Sequence, residues 1–164
     1  MGKENVINID INTEAVFADY GYNGKPLLDD SLVEKMQMIA NVKPIRQNVT
    51  FRFMKKPDIA INRTKFNYAF DNSINNLIST KQHEINRCLI TGVILLFISL
   101  ALIFIENFVM VKLGAIVSEI SNIVSWVFLW VTVEIMTIQL IQLIIDKNKL
   151  KRIKNARVVI EDQK

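Results

Sequence analysis

Residues Cys88–Ile105, CLITGVILLFISLALIFI, carry no charge. An uncharged apolar run of about 18 or more residues is long enough to cross a bilayer as a helix. A second apolar run follows from Leu113 to Ile145. Two such runs joined by a short polar link predict a transmembrane α-helical hairpin, with spans at about 88–105 and 116–140. The chain then divides into a water-facing segment 1–87, the hairpin 88–145 and a basic tail 146–164.

Outward from the spans, charge sets orientation. Lys81 and Arg87 precede the first span, and Lys147, Lys149, Lys151, Arg152, Lys154 and Arg157 follow the second. The link between the spans offers Lys112 alone. Basic flanks stay on the cytoplasmic side, so both termini are expected there, in a multi-pass protein of the cell membrane. Lys147, Lys149, Lys151, Arg152 and Lys154 are candidates to meet anionic lipid headgroups. This cluster holds the excess of the net +4 charge, so the charge is read as a topology signal and no nucleic-acid partner is expected.

Before the hairpin, Ile7, Ile9 and Ile11 alternate with polar neighbours, the period of a strand buried on one face. Ser31 and Glu34 have capping-box spacing ahead of Leu32, Val33, Met36 and Ile39, which predicts a short helix over about 30–40. Val49 to Phe53 alternates again, and Lys55-Lys56-Pro57-Asp58 reads as a turn. From Asn62 the period becomes helical, with Phe66, Phe70, Ile74, Leu77 or Ile78, and Ile85 on one face. No Gly or Pro interrupts this helix before Gly92, so it is expected to run into the first span. Val158 to Ile160 suggests a third strand. The expected fold is therefore a membrane α-helical hairpin of two transmembrane helices with a small cytoplasmic α/β layer of about three short strands.

The second span carries the costly groups. At about 100° per residue, Ser118, Ser121, Asn122, Ser125, Thr132, Gln139, Gln142 and Asp146 share one side of a helix. Such residues serve as interhelical contacts in lipid, or they line a water-filled path. Glu134 stands off this stripe. An intramembrane carboxylate needs a proton, a basic partner or water, and counting along the helix places Glu134 near the inner headgroups. Trp126 and Trp130 are one turn apart and are expected to pack between helices, their indole N–H groups meeting the Ser and Thr hydroxyls.

Ser125-Trp126-Val127-Phe128-Leu129-Trp130, a basic exit, and Ala156-Arg157-Val158-Val159-Ile160-Glu161 resemble a family of small bacterial two-span proteins over about residues 62–161. That family commonly has an acid directly after the second Trp; here Val131 takes the position and Glu134 follows a turn later. The resemblance implies the two-span topology and no activity.

The single cysteine, Cys88, excludes an internal disulfide, and the single histidine, His83, excludes a His-rich metal site. Neither a Gly-rich phosphate loop, a nucleophile elbow nor a metal-ligand spacing is present, so no enzyme, cofactor or metal is expected. Two readings remain. One is a membrane-anchored interaction or assembly module, with a second copy or another membrane protein as partner. The other is an oligomeric pore resembling holins or toxins.

Overall fold

Alternation of Ile7, Ile9 and Ile11 with Val6, Asn8 and Asp10 builds the first strand, β1 (Asn5–Ile11), and buries the three isoleucines on one side. The computed structural model of the 164-residue chain describes residues 5–11, 16–18, 24–42, 49–55, 61–108 and 115–162. The expected turn residues 56–58 and the link at Lys112 lie outside the described residues.

Helix α1 (Asp30–Val42) starts differently from the capping box that Ser31 and Glu34 suggest. The Asp29 carbonyl accepts the Leu32 and Val33 N–H groups at 3.1 Å, which makes Asp29 the N-cap. Its Oδ1 accepts the Ser31 N–H at 3.0 Å and the Ser31 hydroxyl as well. Ser31 is thus engaged as a donor to the true cap. These hydrogen bonds, the hydroxyl's first, hold the Asp29 carboxyl below its ordinary value.

Strand β2 (Val49–Lys55) follows, and then α2 (Arg63–Phe108), a single helix of 46 residues. Asn62 caps it, its Oδ1 accepting Thr64 N–H at 3.0 Å and Lys65 N–H at 3.2 Å. The second long helical run comprises α3 (Ala115–Glu134), a π-helical turn at Ile135–Gln139, and α4 (Leu140–Lys154). The chain ends its described part in β3 (Arg157–Asp162).

Among the described residues the three strands are parallel, in the order β1-β2-β3. Ile7, Phe51 and Val158 share one rung, and Ile9, Phe53 and Ile160 share another. Parallel neighbours need crossover connections. Helix α1 supplies the first crossover. The second runs through the whole of α2, α3 and α4.

The molecule divides into two units. The first joins the described residues up to Thr80 with those from Asp146 onward, so both ends of the chain build it. One face of the sheet packs Ile7, Ile9, Ile11, Phe51, Phe53 and Ile160 against Leu32, Val33 and Met36 of α1, Phe66, Phe70 and Ile74 of α2, and Leu150 and Ile153 of α4. Phe53 and Phe66 meet edge to face at 5.0 Å between centroids. The buried Ser73 hydroxyl accepts the Leu28 N–H at 2.9 Å, and Asn72 Nδ2 donates to the Pro26 carbonyl at 3.3 Å. Those two bonds fix the segment ahead of α1 onto α2.

The second unit, residues 81–145, comprises two helices long and apolar enough to cross a membrane. Their large apolar side chains face outward, Phe97 being 68% exposed and Ile138 66%.

Candidate functional site

In the helical pair, small residues make the close approach. A Cβ added at Gly92 would lie 2.9 Å from Met136 Sδ, so the glycine gives the thioether its space. The Cys88 thiol donates to the Ile135 carbonyl at 3.7 Å. That carbonyl opens the π-helical turn, where it also accepts the Leu140 N–H. A π turn holds one residue more than an α turn. Every position beyond it is therefore rotated by about 100° from a straight α-helical count.

This rotation divides the polar stripe. Ser125 and Thr132 are buried and Ser121 is half-buried. Gln139, the last residue of the π turn, and Gln142 beyond it are exposed, and so is Asn122 at the margin of the stripe. The Ser118 side chain lies outside the described residues. The buried hydroxyls bond along their own helices: Ser125 Oγ donates to the Ser121 carbonyl at 2.9 Å, and Thr132 Oγ1 to the Phe128 carbonyl at 2.8 Å. Ser99 on α2, fully buried, does the same toward the Leu96 carbonyl at 2.8 Å. Back-bonding of this kind satisfies a hydroxyl without a second helix.

Trp126 is 64% and Trp130 72% exposed, on the side away from Ser125 and Thr132, so neither ring packs between the two helices. Their angular positions, about 100° and more from Ser125, account for this. With Asn122, Ile123 and Val133 they line a shallow apolar groove of ≈ 540 Å³. Glu134 is exposed, at the last residue of α3.

In the α/β unit, Asp146 and Lys149 pair at 3.2 Å, and Lys151 and Lys154 are exposed. Lys147 and Arg152 are half-buried, each engaged within the chain.

Two features there escaped the sequence reading. The first is the other face of the sheet. Val6, Asn8 and Asp10 of β1 and Arg157 and Glu161 of β3 are exposed, and Thr50, Arg52 and Met54 between them are half-buried. The face is open among the described residues, whereas parallel sheets are generally covered on both sides. Arg52 and Glu161 pair across it at 3.4 Å. Alternation marked Val6, Asn8, Asp10, Thr50 and Arg52 as turned from the core, but not as neighbours, since register and strand order are long-range facts.

The second is the outer edge of β3. A groove of ≈ 430 Å³ runs there, lined by Arg63 and Asn67 of α2 and by residues 157–161. Arg63 Nη2 donates to the Ile160 carbonyl at 3.4 Å. Among the described residues no cluster of His, Cys, Asp and Glu is suited to a metal ion.

No protein family, curated protein or solved structure matches the chain.

Proposed function

We propose that the protein is a membrane-anchored interaction or assembly module, whose α/β layer is cytoplasmic and whose apolar helical pair spans the inner membrane. One observation carries this reading: the apolar pair is inserted in the crossover between the central strand and an edge strand of a folded layer. An anchor placed there holds the layer at the membrane by two covalent connections while leaving one sheet face open. The basic flanks orient the pair with both termini inside, and Lys151 and Lys154 contribute attraction to anionic headgroups, worth about 1 kcal/mol for each basic residue near the surface.

The back-bonded hydroxyls of Ser99, Ser125 and Thr132 also support an anchor over a pore. Each is buried and donates its proton along its own helix, which favours a packing role over a water-lined path. The test is photo-crosslinking in intact cells from a benzophenone amino acid at Asn8 or Thr50 on the open sheet face, with ion leakage measured in parallel. Discrete crosslinked protein species from both positions, and no leakage on expression, are expected. Leakage that responds to Asn122→Leu, with no crosslink from the sheet face, would replace the module by a pore.

A further inference from the structure

We infer that the free edge of β3 takes up an extended acidic segment of a partner protein as an added strand. This names the partner chemistry of the layer and rests on its reading as an interaction module. Among the described residues, strand β3 has β2 on one side and no strand on the other. Its other side faces the groove bounded by Arg63 and Asn67. Strand addition uses main-chain hydrogen bonds for affinity and alternate side chains for selectivity.

The main-chain half of the site is on the groove side. Ile160 presents its carbonyl to Arg63, and Val158, two residues earlier in the strand, turns its amide and carbonyl the same way. The guanidinium shields the edge, as charged groups do at exposed strands. At 3.4 Å its bond is longer than the usual 2.7–3.2 Å for N–H···O. An incoming backbone N–H can displace it, and the released guanidinium then has a carboxylate to meet.

Charge selects the occupant. Arg63 and Asn67 stand on the helix side of the groove, and Arg157 belongs to the open face of the sheet. Glu161, at the far end, is offset by Arg52 at 3.4 Å. Consecutive side chains of a strand point to opposite faces. Two adjacent carboxylates on the added strand would therefore reach Arg63 and Arg157 in turn. A basic segment would set like charges side by side.

The experiment uses the full chain in phosphatidylcholine nanodiscs and the fluorescent peptide TVEEVT, read by anisotropy. Controls are TVKKVT and a TVEEVT backbone-methylated at both glutamate nitrogens. Saturable binding of TVEEVT is expected, with both controls weaker by tenfold or more. Arg157→Glu and Arg63→Glu should each weaken TVEEVT at least tenfold, and Arg157→Glu should improve TVKKVT. Unchanged protease resistance of both variants establishes that they remain folded. Equal binding of the methylated peptide, or no saturable binding, overturns the proposal. So does a disulfide-linked dimer formed by Arg157→Cys on a Cys88→Ala background, because a second copy would then occupy the edge. Crosslinks that persist from Asn8 and Thr50 while the peptide fails to bind would refute the edge site and leave the module reading standing.

Discussion

Phenylalanine behaves in opposite ways in the two units. Phe51, Phe53 and Phe66 are fully buried in the α/β unit, while Phe97 and Phe104 in the helical pair are more than half exposed. The layer follows the rule for water: alternate residues go inside, and polar ones cover the rest. The helical pair buries small residues, Gly92, Ser99, Ser125 and Thr132, and turns its largest side chains outward. Small residues at the contact and large apolar ones facing out are the pattern of helices that pack where the surroundings are as apolar as the side chains. Hydrophobicity marks both regions; what it is buried against separates them.

The comparison breaks most visibly at Phe66. Its ring is fully buried against Phe53, and Phe66→Ala should cost about 3–5 kcal/mol by removing a large core side chain. Limited proteolysis of the layer reads the loss, and carbonate extraction should still leave the chain with the membrane. If an equal loss follows from Phe97→Ala, which is exposed, the two regions do not obey different rules.

A smaller effect is expected between the helices. Gly92→Leu must displace Met136 and should cost about 1–3 kcal/mol through overpacking. Gly92→Ala should be milder, since a flexible thioether can yield to one methyl group and alanine favours the helix by roughly 0.5–1 kcal/mol over glycine. Steric-trap unfolding in bicelles would rank the two. Equal losses would mean that backbone freedom, and not close approach, is what Gly92 provides.

The smallest effect lies at the start of α1. Asp29→Ala should cost about 1 kcal/mol as a lost N-cap. The Asp29 carboxyl is held below its ordinary value of 3.8 by hydrogen bonds from Ser31. The ionised form is thus favoured by folding, so its contribution is present above the unfolded value and is lost as pH falls through the lowered one. Denaturation of the wild type and Asp29→Ala at pH 6 and pH 3 should show the gap between them narrowing in acid. A gap that widens in acid reverses the assignment.

Much of this was legible in the sequence because it is periodic. Ile7, Ile9 and Ile11 gave a strand, Phe66, Phe70 and Ile74 a helix face, and Cys88–Ile105 an apolar helix. What escaped was set by geometry without local signature. The parallel order β1-β2-β3 depends on partners far apart in the chain. The π turn at Ile135–Gln139 has no sequence mark, yet it turns Gln139 out of a stripe that a uniform 100° count had built. Ser31 was misread because two residues able to cap, Asp29 and Ser31, stand so close that only the backbone path decides between them. Nothing local to Arg63 marks it as a neighbour of β3, whose Ile160 lies far along the chain.

The long second crossover has a consequence for synthesis. Phe51 and its rung partner Val158 stand roughly a hundred residues apart, a separation that slows pairing. Chains grow at about 5–20 residues per second, so for roughly 5–20 s the nascent chain carries β2 with its inner aromatics made and its last neighbour unmade. During that interval one side of β2 is a bare strand edge, the kind of surface that recruits wrong partners. The intervening apolar segment is the part of the chain emerging at that time. Removing it to the bilayer as it is made would leave the waiting sheet with little nearby that is greasy enough to mispair, and the final strand would then close the layer.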